Sequence, residues 1–173
     1  MFPAKLGSPV LIIGNSGAGK STLGEAIAVH LDCERIDLDR IHWKDKTSSV
    51  KRNEDAARDM VRMSAAAPHW VIEAVYGWLA QEAVSRATTL IWLNLSWEEC
   101  EAGLLARGPW PHAPDGAFKA LLDWARDYYV RMSPSSRPAH QCIFEAFPGE
   151  KIEFQNRAHA NTFIESLNES SPQ

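Results

Sequence analysis

Ile13-Gly14-Asn15-Ser16-Gly17-Ala18-Gly19-Lys20-Ser21-Thr22-Leu23 is the stretch whose reading decides the fold. Residues 14–21 fit Gly-x4-Gly-Lys-Ser, the pattern of a phosphate-binding loop. Ser8-Pro9 breaks the chain ahead of it, and Val10-Leu11-Ile12-Ile13 is an aliphatic, β-branched run suited to a buried strand. Beyond the loop, Leu23, Ala26, Ile27 and Leu31 recur at helical spacing. Strand, Gly-rich turn and helix N-terminus are the arrangement the motif needs. Glycines permit the positive φ angles that turn successive N–H groups inward, and the helix end adds partial positive charge for an anion. Gly14, Asn15, Ser16, Gly17, Ala18, Gly19, Lys20, Ser21 and Thr22 are therefore expected to bind a nucleotide. Lys20 would reach the outer phosphates, and the Ser21 hydroxyl would ligate Mg²⁺.

Composition narrows what such a site serves. A chain of 173 residues suits one domain and is long enough for a real core. Apolar residues at 45% and charged residues at 23% are those of a globular protein. A net charge of −4 opposes a non-specific nucleic-acid surface, which would need a basic face. No apolar run approaches the roughly 18–20 residues of a membrane span. Met1-Phe2-Pro3-Ala4-Lys5 lacks the apolar segment of a signal peptide. Cys33, Cys100 and Cys142 are odd in number and share no ligand spacing, so they read as reduced, mostly buried thiols. The expectation is a cytoplasmic protein, monomeric or weakly homodimeric, with no membrane or nucleic-acid partner.

Strand-like runs recur at Val10–Ile13, Arg35–Leu38, Trp70–Glu73, Thr89–Leu95 and Lys151–Phe154. Helical patterns separate most of them, which predicts βαβ units and a parallel sheet covered on both faces. Ser96-Trp97-Glu98-Glu99 is a capping box that starts a helix directly after the fourth strand. From Asp115 to Met132, apolar residues repeat with a period near 3.6, which predicts one helix. Three prolines between 109 and 114 precede it, and Ser133-Pro134-Ser135-Ser136-Arg137-Pro138 follows as a second break. These breaks delimit a helical excursion, a lid at about 107–137, within a single domain spanning 1–173. A second, acceptor-side excursion is expected at about 44–67.

Open α/β sheets bind ligands beyond the carboxyl ends of their strands, so acidic residues there are the ones to weigh. Asp39 is the candidate to accept a proton from a substrate hydroxyl or to hold the acceptor. Asp37, placed on the same side of an alternating strand, either assists it or caps the next turn. Glu73 occupies the place where a second acidic group orients Mg²⁺, since a carboxylate at a buried strand's end is costly without a cation or hydrogen bonds. Asn94 stands where a metal-binding Asp is expected and supplies no charge. Arg107 ends the capped helix, and Arg126 lies on the excursion helix; both are candidates to stabilise charge on a migrating phosphoryl group. Arg131 and Arg137 are further lid cations. Arg58 and Arg62 share a helix face, either to grip an anionic acceptor or to pair with nearby acids such as Asp55 and Asp59. Trp43, Tyr76 and Trp78 follow strand ends and could wall an acceptor, whereas Trp70, Trp92 and Trp97 read as core. His42 and His112 carry no ligand spacing and receive no role.

These residues carry a resemblance. The stretches Ile13–Leu23, Asp37-Leu38-Asp39-Arg40-Ile41-His42-Trp43, Trp70-Val71-Ile72-Glu73-Ala74-Val75-Tyr76 and the Asp123-Trp124 and Arg137-Pro138 region resemble P-loop kinases of the adenylate-kinase-like superfamily. Within it the chain is most similar to the topology modulation protein, or adenylate-kinase-like, subgroup. The resemblance implies a P-loop NTPase fold: a five-stranded parallel sheet of order 2-3-1-4-5 flanked by helices, with a helical lid. It also implies ATP and Mg²⁺, with the γ-phosphate moved to a small-molecule or nucleotide acceptor. Where adenylate kinases proper carry Asp-Gly followed closely by a phosphate-gripping arginine, this chain has Glu73-Ala74 leading to Gly77 and Trp78. The adenine-stacking arginine of the lid falls at Gly103, while Arg107 matches the phosphate-facing arginine one turn later. Arg157, after the last strand, is the candidate to touch adenine. The Asp-x-Asp is similar to that of shikimate- and gluconate-type kinases.

A kinase using Lys20, Asp39, Glu73, Arg107 and Arg126 is therefore the leading expectation. A nucleotide-dependent regulatory module or slow ATPase without a small-molecule acceptor is the alternative. No Asn-Lys-x-Asp motif follows the fourth strand, which opposes a GTPase switch.

Overall fold

A computed structural model describes residues 6–44 and 50–169, so Met1–Lys5 and part of the acceptor-side excursion lie outside the described residues. Strand β1 (Val10–Gly14) runs into the phosphate-binding loop and helix α1 (Lys20–Leu31). Then come β2 (Glu34–Asp37), a short α2 (Leu38–His42) and α3 (Glu54–Ser64). Next follow β3 (Trp70–Ala74), α4 (Gly77–Val84), β4 (Thr89–Leu93) and α5 (Trp97–Arg107). The chain closes with α6 (Ala117–Arg126), a 3-10 turn (Asp127–Tyr129), α7 (Arg137–Ala146), β5 (Glu150–Phe154) and α8 (Arg157–Glu169).

The five strands are all parallel and run in the order β2-β3-β1-β4-β5. Every residue of β1, β3 and β4 is buried, as strands covered on both faces require. Alternate residues feed two cores. Leu11, Ile13, Trp70, Ile72, Leu90 and Trp92 pack with residues of α2, α3, α4 and α7 on one face. Val10, Ile12, Val71, Ile91 and Leu93 pack with residues of α1, α5 and α8 on the other.

Several local expectations change. The chain leaves the second strand at Asp37 rather than Leu38, so Asp37 and Asp39 do not alternate on one strand. Asp37 instead caps α2, its Oδ1 accepting the Asp39 N–H at 2.9 Å. The predicted helix from Asp115 to Met132 is regular only from Ala117 to Arg126 and then tightens into the 3-10 turn. That turn buries Tyr128, whose hydroxyl bonds His140 Nδ1 at 2.8 Å. The break at residues 133–138 opens a helix: Ser136 Oγ accepts the Ala139 N–H, and Pro138 sits in the first turn of α7. Of the three free cysteines only Cys100 is buried; Cys33 is half-buried and Cys142 exposed. Trp70 and Trp92 are core, but Trp97 is half-buried beneath the Arg126 guanidinium. Among the described residues no helix is long and apolar enough to cross a membrane.

Candidate active site

The Gly-rich loop turns between β1 and α1 because Gly17 and Gly19 take φ of 78° and 96°. Gly17 is also required by close approach. A Cβ there would overlap the Cys100 carbonyl oxygen and crowd Leu104, and a Cβ at Gly103 would overlap the Gly17 carbonyl. Helix α5 is thus packed directly on the loop, leaving no room for a side chain where an adenine-stacking arginine was sought.

Two side chains missed by sequence reasoning as structural ties hold the loop from outside. Asn15 is buried; its Nδ2 donates to the Ala125 carbonyl at 2.8 Å, and its Oδ1 accepts the Ser16 N–H at 2.8 Å. The loop is thereby bonded to the end of α6, 110 residues away. Arg157 is the first residue of α8 rather than a loop residue. Its Nη2 donates to the carbonyls of Gly17 and Glu99, both at 2.8 Å, and its Nη1 to Ala18 at 3.4 Å. The Glu99 carboxylate does not simply close the capping box; it accepts the Arg157 backbone N–H at 2.8 Å. Ser96 supplies the other half, accepting the Glu99 N–H at 3.4 Å.

Inside the loop, Lys20 Nζ donates to the Asn15 carbonyl at 2.8 Å. The Ser21 hydroxyl donates to Glu73 Oε2 at 2.9 Å. Glu73, one residue before the end of β3, lies beside Asp37, its register partner on β2, and is only 2% exposed. Arg35, which sequence reasoning did not single out, reaches Glu73 Oε1 and is held in turn by Glu25 at 2.9 Å. Burial pushes the Glu73 carboxyl up, and Lys20, Ser21 and Arg35 oppose that rise. A hydroxyl and a carboxylate form an all-oxygen donor set that fits Mg²⁺, which takes few protein oxygens and completes its shell with water and phosphates. Among the described residues no cluster of three or more His, Cys, Asp or Glu side chains is placed to hold a metal by itself.

Asp39 lies on α2 at the same end of the sheet. Burial raises its pKa to about 7, and Asp37 and Glu73 add to the rise while Lys20 and Arg107 counter it. Four groups named from the sequence therefore share one electrostatic neighbourhood: Lys20, Asp39, Glu73 and Arg107. Arg126 stands apart, against Glu101 at 3.4 Å and over the Trp97 ring at 5.2 Å. Arg58 and Arg62 pair not with Asp55 but chiefly with Glu82 of α4, at 2.6 and 2.7 Å, with Arg62 also on Asp59 at 3.0 Å. Asn94 accepts from Arg137 Nε at 2.8 Å and donates to Glu153 at 2.7 Å, so the amide orients an arginine.

At His42, the last residue of α2, opens a cavity of about 300 Å³, bounded on its aromatic side by His42, Tyr76, Trp78 and Trp124. His42 stacks on Tyr76 with centroids 4.0 Å apart and meets Trp78 edge-on at 5.8 Å. Trp43 stands behind this wall, donating Nε1–H to the Tyr76 hydroxyl at 3.2 Å. Trp124 is fixed by the Arg131 guanidinium, 3.8 Å from its ring centre. Residues 133–135 close the cavity, and Lys51, Arg52 and Glu54 supply its charges. Of Trp43, Tyr76 and Trp78, the last two line the cavity, and His42 and Trp124 line it with them.

The comparisons place this architecture among known proteins. No family model matches the chain, and no curated protein matches its sequence. Solved structures do match. The shikimate kinase from Bacteroides thetaiotaomicron superposes with a TM-score of 0.56 at 21% identity, over 92% of this chain and 96% of that one. The shikimate kinase from Acinetobacter baumannii in complex with shikimate gives 0.54 at 16% identity, over 92% and 90%. A gluconokinase from Sinorhizobium meliloti 1021 gives 0.52 at 16%, over 94% and 97%. The fold is that of the P-loop kinases. The five-stranded order 2-3-1-4-5 expected from the resemblance is the observed one.

Proposed function

We propose that the chain is a phosphotransferase that moves the γ-phosphate of ATP, with Mg²⁺, to a small-molecule or nucleotide acceptor. The observation that carries this reading is that the Asp39 carboxyl feels the charge of Lys20 and in turn acts on Tyr76, which lines the cavity. A Gly-rich loop suited to a phosphate donor and a partly open second site thus share the field of one carboxylate. The structural neighbours bearing the names shikimate kinase and gluconokinase lend support to a hydroxyl acceptor.

In this reading, backbone N–H groups of residues 14–21 hold the triphosphate, and Lys20 exchanges the Asn15 carbonyl for phosphate oxygens. Mg²⁺, when bound beside Ser21 and Glu73, supplies positive charge across the outer phosphates. Asp39 orients the acceptor hydroxyl and takes its proton. The hydroxyl oxygen forms a bond to the γ-phosphorus, the bond to the β,γ-bridging oxygen breaks, and ADP leaves with that electron pair. Arg107 stabilises charge on the moving group, and Arg126 would serve only if the excursion at about 107–137 moves as a lid. The enzyme is proposed to work in the cytoplasm, as a monomer or weak homodimer.

Lys20→Ala tests the assignment. Transfer should fall by at least about 100-fold, the scale for removing a charge-stabilising donor. The thermal transition should persist. Turnover near wild type would remove the loop from the mechanism. The Asn15–Ala125 bond, which couples the loop to α6, favours a second reading as a nucleotide-dependent regulator or slow ATPase. Acceptor-dependent ADP release separates the two: ATP loss that no acceptor accelerates belongs to the regulator.

A further inference from the structure

We propose that the cavity between His42, Tyr76, Trp78 and Trp124 binds an unphosphorylated acceptor of nucleoside class, its planar ring against the aromatic wall and its sugar hydroxyl toward Asp39. The inference rests on the phosphotransferase reading for its chemistry, but the binding site stands on its own geometry.

Two observations set the class. The first is what the cavity presents. Four of its lining side chains are aromatic rings, Pro134 adds a fifth apolar surface, and a cavity of about 300 Å³ is near the lower end for small-molecule pockets. Planar rings gain from offset or edge contacts with such walls. Lys51 and Arg52 bring donors and Glu54 an acceptor, the mixture that reads the polar edge of a heterocycle.

The second is how the described guanidinium groups around the site are spent. A terminal phosphate calls for bidentate guanidinium groups or a helix N-terminus. The start of α4 is closed to it: a Cβ at Gly77 would overlap the Pro134 carbonyl oxygen, which sits where an arginine side chain would emerge. Among the described residues, the guanidiniums of Arg58, Arg62 and Arg131 are committed, whereas Lys51 and Arg52 line the cavity. Arg58 and Arg62 are held by Glu82, and Arg131 bonds the Ser135 and Trp124 carbonyls. Arg52 is partly engaged, its Nε donating to the Ile41 carbonyl at 2.9 Å. Tyr76 links the two halves of the site. It lines the cavity, and burial first, then the charge of Asp39, disfavours its phenolate.

Tryptophan fluorescence of the full chain, with Trp78 and Trp124 at the site, tests the proposal. Adenosine, guanosine, cytidine and uridine would each be titrated, beside AMP, shikimate and gluconate. At least one nucleoside should give a saturable change, at least tenfold tighter than its monophosphate and than either hydroxy acid. Trp124→Ala and Trp78→Ala should each weaken it at least tenfold by calorimetry with circular dichroism unchanged, whereas Met63→Ala, at an exposed position outside the site, should bind as wild type. If one tryptophan variant fails to fold, the other carries the comparison. Saturable binding of shikimate or gluconate with none by any nucleoside overturns the assignment, as does nucleoside binding indifferent to both tryptophans. Nucleoside binding without phosphoryl transfer upholds the pocket and removes the phosphotransferase reading.

Discussion

Ser21 and Glu73, 52 residues apart in sequence, meet in a 2.9 Å hydrogen bond that joins the start of α1 to the penultimate residue of β3. Arg35 holds the other Glu73 oxygen, so a carboxylate only 2% exposed is paired on both sides. Glu73→Gln keeps the shape and removes the charge. A non-hydrolysable ATP analogue should then bind the variant equally with Mg²⁺ or EDTA, whereas wild type should bind more tightly with Mg²⁺. A variant that retains the full Mg²⁺ enhancement would take Glu73 out of the metal site. Arg35→Met should destabilise the fold at neutral pH by about 1–3 kcal/mol, below the range for fully buried pairs because Arg35 is 24% exposed.

Asp39 makes the site pH-dependent with a definite sign. Its folded pKa, raised to about 7, lies above the unfolded value of about 3.9. The folded state therefore holds a proton that the unfolded chain has lost, and stability falls as pH rises from about 4 to 7. Asp39→Asn removes this dependence. In urea melts the variant should gain stability relative to wild type on going from pH 5 to pH 8. If the difference between them is the same at both values, the carboxyl is not held protonated. Activity runs the opposite way. A proton acceptor must be ionised, so turnover should rise with pH through an inflection near 7, and the bound nucleotide's charges would move that inflection upward.

Gly77 explains why a phosphate-gripping arginine is missing from the start of α4. The exit loop of the excursion lies on it through the Pro134 carbonyl. Gly77→Ala forces that loop outward at a cost of about 1–3 kcal/mol, typical of overpacking. Affinity for an ATP analogue should stay within about twofold, since the phosphate-binding loop is a separate element. Equal stability of Gly77→Ala and wild type in a denaturant titration would mean that the loop is not seated there.

What could be read in advance follows from how local each signal is. The Gly-rich turn between β1 and α1, β1 itself and the Ser96 cap are short-range patterns, and all three formed where expected. Glu73 stands out in the sequence because a carboxylate near the end of a buried strand is an anomaly, whereas Asp39, expected beside a strand end, lies on α2. Arg35 and the Asn15–Ala125 tie were not legible, because their partners are 38 and 110 residues away. Helix α7 was hidden by Pro134 and Pro138, which read as a break. Ser136 followed by Arg137-Pro138 is equally a helix-start signal, and the burial of His140 and Ile143 shows which meaning prevailed. His42 looked inert without ligand spacing, yet its role is to stack, and stacking leaves no spacing signature.

His140 should make the fold acid-sensitive. It is fully buried, with Nδ1 bonded to the Tyr128 hydroxyl at 2.8 Å and Nε2 to the Val75 carbonyl at 3.1 Å. Burial drives its pKa down to about 3. The unfolded histidine takes up a proton near 6.5, so stability present above that pH is lost as pH falls toward 3, by about 1.4 kcal/mol per unit. His140→Leu should be less stable at pH 8, by about 1–3 kcal/mol for each partner left unsatisfied, but should lose less on acidification. Parallel stability–pH curves for the two proteins would contradict a neutral, buried imidazole.

Arg157 offers a sharp choice between two roles. The resemblance suggests contact with adenine, whereas the structure places its guanidinium on the carbonyls of Gly17, Ala18 and Glu99. A guanidinium that braces the loop serves the phosphates whatever base they carry. Arg157→Ala should therefore weaken ATP, GTP and inorganic triphosphate by the same factor, about tenfold for charge-assisted hydrogen bonds worth roughly 1.5–3 kcal/mol that water partly replaces. Arg157→Lys should recover little, because one ammonium cannot span carbonyls that two guanidinium nitrogens reach. A base contact predicts the contrary pattern: loss for ATP alone, with triphosphate unaffected. Competition titrations against one fluorescent nucleotide read both patterns in a single series, and a loss confined to ATP would return Arg157 to the adenine side of the site.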